Sequence, residues 1–405
     1  MNSSLALAVT MILAQPHDLL IRGGRVIDPQ SGFDRVSDVA VAGGTIAEVA
    51  SGIDPARARV VVDASGLIVV PGLIDLHAHV FYGTAPDSAY SDGTNALPPD
   101  GFTFRSCVTT VVDTGGSGWR DFPQFQRQVI DRSETRVLAM LNIVGSGMKG
   151  GPIEQDLSDM DAKLTALRAR ENRDVVVGIK VAHYQGPEWD PVDRAVAAAE
   201  LAGVPVMVDF GGHSPPLSLE ELLLDHLRPG DVLTHAYAHV DGRIPIVDEA
   251  GALRPFVRRA RDRGIVFDVG HGAGSFLFRQ AVPAMEQGFP PDTISTDLHR
   301  ASMNAGMKDL LNVMSKLLVL GMPLEDVVRA STARPAEVIR RKELGRIGVG
   351  AEADVAVLRV REGSFGFVDS GGERLAGETK LECELTLRSG KVVWDLNGLS
   401  RPGFR

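Results

Sequence analysis

The chain has 405 residues, 44% hydrophobic and 23% charged, which is ordinary for a globular protein and long enough for a large domain with a smaller companion. Its formal net charge of −10 would repel a phosphate backbone, so nucleic acid is excluded as an expected partner. No apolar run reaches the ~18 residues that a membrane span requires.

The first residues resemble part of an export signal. Leu5 to Ala14 is an apolar stretch with the length of a signal-peptide core, but no Lys or Arg precedes Arg22. We expect residues 1–16 to be a signal peptide or an N-terminal extension, and the protein to be periplasmic or secreted, or else cytoplasmic. The two cysteines, Cys107 and Cys383, are too few for a disulfide framework and inform little about the compartment.

Short apolar runs separated by glycine pairs fill the stretch 17–70, which is typical of β-hairpins. The far end, 342–400, repeats this texture at Ala353 to Leu358 and around the Ser389-Gly390 turn. Neither end is large enough for a core of its own. The sequence therefore predicts one small composite β-sandwich domain built from both chain ends.

Between these ends, apolar strand candidates alternate with amphipathic helices, which is typical of a parallel sheet buried on both faces. Eight such units across 71–341 match the size of a (β/α)8 TIM barrel. An open doubly wound sheet is the alternative, but the chain has no glycine-rich dinucleotide fingerprint. The predicted strands are Leu67 to His79, Cys107 to Asp113, Arg136 to Ile143, Asp174 to Val181, Pro205 to Phe210, Asp231 to Tyr237, Ile265 to Gly270 and Asp292 to Leu298.

Four of these strands end in residues that can bind a metal. The first ends in His77 and His79, which point to the same side because side chains alternate along a strand. Lys180, His235 and Asp297 end the fourth, sixth and eighth. Each has an ordinary alternative, namely a lysine reaching water, a core histidine and a helix cap. Together at one barrel mouth they indicate a site for a borderline ion such as Zn²⁺.

The chain resembles the amidohydrolase superfamily at its first barrel strand, Pro71-Gly72-Leu73-Ile74-Asp75-Leu76-His77-Ala78-His79, and at Gly345 to Asp354. Within that superfamily it looks closest to the dihydroorotase and N-acyl-amino-acid deacylase branch. The matching segments are Val108 to Asp113, Gly178 to Lys180, Phe267 to Gly272 and Ser295 to His299.

The resemblance implies a hydrolase with one or two divalent ions, here Zn²⁺, and a carboxylated Lys180. His77, His79 and Asp297 would hold the more buried ion. Lys180 would bridge to the second ion, which His235 would also bind. Asp297 would take a proton from the attacking metal-bound hydroxide and pass it to the leaving group. The family also implies a homo-oligomer.

One position departs from the family pattern. The fifth strand usually ends in a histidine, but here Val206 to Val208 leads to Asp209, and the next histidine is His213. We expect Asp209 to be the ligand, with His213 as the alternative. A single-metal enzyme stays open.

Three loop residues are predicted to hold a small-molecule substrate: His271, His183 and Tyr184. The expected reaction is cleavage of a C–N amide bond, in an N-acyl amino acid or a cyclic amide. The alternatives are an acyl-ester hydrolase, an isomerase or lyase using the same site, and a catalytically dead scaffold.

Overall fold

The computed structural model describes residues 16–83 and 95–403. The signal peptide or extension predicted at 1–16 therefore lies, apart from Pro16, outside the described residues. Within the described part, no helix combines the length and the apolar character that a bilayer crossing needs.

Fifteen strands are described. They are β1 (His17–Asp28), β2 (Phe33–Ala42), β3 (Thr45–Ala50), β4 (Ala58–Asp63), β5 (Ile68–Pro71), β6 (Leu73–Ala78), β7 (Val108–Thr114), β8 (Arg136–Asn142), β9 (Val176–Val181), β10 (Val206–Val208), β11 (Val232–Leu233), β12 (Val266–Phe267), β13 (Val355–Val368), β14 (Arg374–Arg388) and β15 (Lys391–Asp395).

The described α-helices alternate with the central strands and then follow them. They are α1 (Phe122–Gln128), α2 (Ala162–Glu171), α3 (Asp190–Ala202), α4 (Leu219–Glu221), α5 (Pro255–Asp262), α6 (Phe278–Glu286), α7 (Arg300–Asn304), α8 (Leu310–Val319), α9 (Leu324–Ala330) and α10 (Ala333–Val338). α4 continues as a π-helical turn over Leu222–His226. α3 ends at Gly203, whose φ of +73° is the left-handed conformation that commonly stops a helix.

One eight-stranded sheet contains strands from both chain ends. Its order is β15-β14-β13-β5-β1-β2-β3, and β4 also pairs with β1. The two ends meet where β5 pairs with β13 in antiparallel register, Val69 opposite Val357. β13 and β14 form a much longer hairpin than the apolar runs at 353–358 and 385–394 predicted.

The two cysteines, which the sequence did not pair, are joined in a disulfide that links the residue before β7 to β14. Both are buried. The bond therefore ties the central sheet covalently to the sheet of the chain ends.

The central sheet is parallel, with seven strands in the order β12-β11-β10-β9-β8-β7-β6. Every residue of β6, β7 and β9 is buried, as expected for strands covered on both faces. The predicted first strand, Leu67 to His79, is in fact two strands. β5 belongs to the sheet of the chain ends, and only β6 belongs to the central sheet.

The predicted eighth strand, 292–298, is not a regular strand. It makes isolated parallel bridges, Thr293 with Asp268 and Leu298 with Ala78. The physical reason is its polar content, since Thr293, Ser295 and Thr296 are held by buried carboxylates rather than by a continuous ladder.

Candidate metal centre

The carboxyl ends of the central strands open into one cavity of about 780 Å³, within the range of small-molecule sites. At its base lie His77 at the end of β6, Lys180 on β9 and Asp297 in the 292–298 segment. The described lining residues are His77, His79, Met148, Gly150, Gly151, Pro152, Glu154, Gln155, Lys180, His183, Gln185, Asp209, Gly211, Gly212, His235, Val240, Ser275 and Asp297.

His77, His79 and Asp297 form a compact group. One ligand atom of each lies within 4.8 Å of the others, and all three residues are buried. Oδ1 of Asp297 is 2.9 Å from Nε2 of His79 and 3.5 Å from Nε2 of His77. Two imidazole nitrogens and a carboxylate oxygen are the donor types that suit Zn²⁺ and similar ions.

The orientation of the His77 ring is set by hydrogen bonds on the side away from the cavity. The hydroxyl of Thr234 donates to Asp268 (2.8 Å), so its oxygen accepts from Nδ1 of His77 (2.9 Å). This places the ring proton on Nδ1 and leaves the lone pair of Nε2 toward the cavity. Asp268 is itself fixed by Thr293 and Ser295. Metal-binding histidines are commonly held in this way, with the second ring nitrogen hydrogen-bonded to a group that a carboxylate fixes.

Lys180 lies fully buried, with Nζ 3.3 Å from Nε2 of His77. Burial lowers its pKa, against the opposing effect of Asp209 and Asp297. Gly115 (φ +91°) makes room for it, since a Cβ there would lie 2.8 Å from Cγ of Lys180. The structure thus holds a lysine with weakened basicity at the base of the cavity.

Asp209 is the centre of a second group. Its Oδ2 lies 3.4 Å from Nε2 of His235 and 3.5 Å from Nε2 of His183. Burial alone raises the pKa of Asp209, but His235, His183 and Lys180 lower it well below its usual range. Nδ1 of His235 donates to the carbonyl of Gly270 (2.6 Å), so its Nε2 also faces the cavity.

Three residues of this centre have left-handed backbone: His183 (φ 58°), His235 (φ 55°) and Asp297 (φ 52°). Only seven described non-glycine residues adopt a positive φ. That conformation is unfavourable for a side chain with a Cβ and tends to be retained at functional sites. Its concentration here indicates that the backbone is held to aim these side chains.

The structure places three predicted residues outside the main cavity. His271 is completely buried, and its Nε2 lies 2.7 Å from Nζ of Lys316. Tyr184 donates its hydroxyl to Glu188 and lines a separate small cavity. His213 lines that same small cavity and packs on Phe210, with ring centroids 4.6 Å apart. His183 is the one predicted substrate contact that lines the main cavity.

Sequence reasoning missed Glu154, Thr234 and Asp268. Glu154 is completely buried in a short 3-10 helix, Gly151–Gln155, and accepts from Nδ1 of His183 (2.8 Å). Thr234 directly precedes His235, and Asp268 lies two residues before Gly270. An aspartate directly after a short apolar strand was a usable sequence signal for Asp268. No motif in the neighbouring sequence indicates that Glu154 belongs to the site.

Comparison with known proteins finds similar sequences and folds along most of the chain. Residues 278–387 match the model of the amidohydrolase family. A deacetylase of Agrobacterium fabrum is 35% identical over 346 residues, which cover 83% of this chain and 82% of that protein.

Two solved structures are similar along nearly the whole chain. A dihydroorotase superposes with a TM-score of 0.82 at 30% identity, covering 93% of this chain and 99% of the other. An adenine deaminase superposes with a TM-score of 0.82 at 28% identity, covering 94% and 100%.

Proposed function

Because this chain belongs to the amidohydrolase superfamily, we propose that it is a metal-dependent hydrolase that removes the acyl group, acetyl first among them, from a small N-acylated compound. The observation that supports this most directly is the buried group of His77, His79 and Asp297 at the base of the main cavity. The similarity to a deacetylase supports the choice of an acetyl group.

The donor set fits Zn²⁺, with His77, His79 and Asp297 holding one ion. A divalent ion at this position supplies a water of lowered pKa and polarises the carbonyl of the substrate. We propose a second ion at Asp209 and His235, with Lys180 between the two sites.

Asp297 is proposed as the general base and then the general acid. Burial raises its pKa, but the hydrogen bond and charge of His79, with His299 and His235, lower it below the ordinary value. Asp297 is therefore ionised at neutral pH and can accept a proton from the attacking water. The same oxygen can then return that proton to the leaving nitrogen.

Lys180 is proposed to be carboxylated. A neutral amine attacks CO₂, a nitrogen–carbon bond forms, one proton leaves, and the side chain becomes an anionic carbamate. The burial that lowers the pKa of Lys180 favours this neutral amine. The result would place an anion beside His77, which suits two neighbouring divalent ions.

The cavity indicates which substrates it tolerates. Its described lining contains no arginine, and Lys180 at the base is its one lysine. The segment 84–94 contains no Arg or Lys either. Lys149, next to lining residues, pairs with Asp121 at 3.6 Å. Away from the proposed metal ions, a substrate carboxylate would thus find no arginine or lysine among the described lining residues, so we place neutral N-acetyl amides ahead of N-acyl amino acids.

The first experiment is metal analysis of the purified protein by elemental mass spectrometry, linked to hydrolysis of matched N-acetyl amino acids and their amides. We expect zinc to be lost with a chelator and regained together with activity. Hydrolysis that persists in the metal-free protein, or failure to bind any divalent ion, would refute the proposal.

Four further features stay proposals. The central sheet is proposed to close as an eight-stranded barrel, supported by the bridges of 292–298 to β6 and to Asp268. The proposed domains are 17–70 with 342–400 and 71–341. Export is supported by the buried disulfide, because such bonds persist in oxidising compartments. The homo-oligomer stays a prediction.

A further inference from the structure

We infer that His183 is a ligand of the second divalent ion, beside Asp209 and His235, and that Glu154 holds it in place. The inference rests on the proposed function, since it concerns an ion of the same centre. It replaces the expectation that His183 contacts substrate. His183 would supply the histidine ligand that the fifth strand lacks, since that strand leads to Asp209.

The side chains of His183, His235 and Asp209 converge as the ligands of one ion must. Nε2 of His183 and Nε2 of His235 lie 3.5 and 3.4 Å from the same oxygen, Oδ2 of Asp209. Two imidazole nitrogens and a carboxylate oxygen facing one point repeat the donor set of His77, His79 and Asp297. The second group is the looser one, because in the described part of the chain only the first has all its ligand atoms within 4.8 Å.

The far side of His183 is built like that of a metal ligand. Nδ1 donates to Oε2 of Glu154 at 2.8 Å, and the carboxylate is completely buried. Oε1 of Glu154 accepts from the backbone nitrogen of Gly150 at 2.5 Å, which fixes its rotation. A carboxylate on one imidazole nitrogen sets the tautomer and makes the other nitrogen a better donor to a metal.

The backbone of His183 is fixed as well. The side-chain amide of Gln155 donates to the carbonyl of His183 at 2.8 Å. With φ at 58°, the residue is held in a conformation that costs energy for a non-glycine residue. The energetic cost of this conformation is accounted for if it directs Nε2 of His183 to the point that Asp209 also faces.

His213, the other candidate, is less well placed. It lines the small cavity with Tyr184 and Phe210. Asp209 lines both cavities, but among the described residues His183 and His235, and not His213, bring a ring nitrogen within 4.0 Å of its carboxylate. Its Nδ1 is buried without a hydrogen-bond partner among the described residues, so no second group sets its tautomer. Comparing His183 with His213 therefore gives a matched test.

The test titrates the metal-free full chain with Co²⁺ and with Zn²⁺, following metal stoichiometry and the visible spectrum of Co²⁺. We expect two equivalents for the wild type and for His213→Ala. For His183→Ala we expect one tight equivalent, with the second weakened at least about 100-fold. The one retained ion and an unchanged circular dichroism spectrum establish that the variant is folded. If His183→Ala does not fold, His183→Asn decides on the same criteria.

The outcomes separate the two proposals. If the wild type binds no ion, the proposed function fails and this inference fails with it. If the wild type binds one ion, or if His183→Ala binds two with unchanged affinity, only the role of His183 is overturned and a metal-dependent hydrolase stands. Loss of the second ion in His213→Ala but not in His183→Ala would likewise overturn it.

Discussion

Exchanging Glu154 for glutamine tests how the second metal group is supported. The wild-type carboxylate accepts two hydrogen bonds, from Nδ1 of His183 at one oxygen and from the nitrogen of Gly150 at the other. A carboxamide offers an acceptor at one end and a donor at the other. Glu154→Gln must therefore lose one of the two bonds, or force His183 into the tautomer whose Nε2 carries the proton and cannot bind a metal.

The size of the effect follows from those two bonds. A hydrogen bond to a charged group contributes about 1.5–3 kcal/mol. Since about 1.4 kcal/mol corresponds to a factor of ten, we expect Glu154→Gln to weaken the second ion about 10- to 100-fold. The ion of His77, His79 and Asp297 should keep its affinity, because Glu154 is not among their contacts in the described structure.

The assay is competition for Zn²⁺ against a chromophoric chelator, with Glu188→Gln as the matched control. Glu188 is also a carboxylate near this loop, but its partner is Tyr184 in the small cavity. The control should bind both ions as the wild type does. Equal second-site affinity in Glu154→Gln and wild type would refute the argument, as would an equal loss of both ions.

Three further changes have expected outcomes. Asp297→Asn should lower kcat/KM by about 10²–10⁴ in steady-state hydrolysis, and near-normal turnover would remove Asp297 as the proton carrier. Replacing Cys107 and Cys383 together with serine should lower the free energy of unfolding by about 2–4 kcal/mol in denaturant titrations, whereas an unchanged midpoint would contradict the stabilising tie. Burial lowers the pKa of Lys316 to about 7. The unfolded chain therefore binds more protons than the folded one between pH 7 and 10.5. Over that range, the free energy of unfolding of the wild type should rise relative to that of Lys316→Met by up to roughly 1.4 kcal/mol per pH unit. Thermal melts of both proteins across this range would detect or exclude the rise.

The parts of the site that lie on strands were predictable from sequence. His77 and Lys180 end apolar runs whose burial is almost complete, so the strand and its carboxyl end can be located from composition alone. The boundary at Gly72 was missed although Pro71-Gly72 is a turn signal, because similar apolar runs precede and follow it while β5 and β6 enter different sheets. Apolar character predicts burial but not which sheet a residue joins.

Residues on loops were predicted less well. The sequence predicts the same role for His183, His271 and Tyr184, since all three follow strands, yet of these three only His183 lines the main cavity. The difference comes from partners distant in sequence. Lys316 on α8 holds His271, and Glu154 holds His183. A single sequence gives no sign of such pairs, since each partner is an ordinary charged residue in its own segment.

The first metal group also depends on a contact that no local pattern predicts. Asp297 does not follow a regular strand, and the backbone beside it is set by a single bridge, in which Leu298 bonds to the backbone of His77 and His79. In addition, Asp75, on β6 beside these histidines, accepts from the nitrogen and the hydroxyl of Thr296 at 3.0 and 2.5 Å. Burial raises the pKa of Asp75 to about 7, with the Thr296 bonds opposing the rise. A buried carboxylate is costly unless its bonds are satisfied, and satisfying them fixes the residue that precedes Asp297. The aspartate of the first-strand motif thus holds Thr296, the residue before the proposed acid–base residue Asp297, from the neighbouring strand β6.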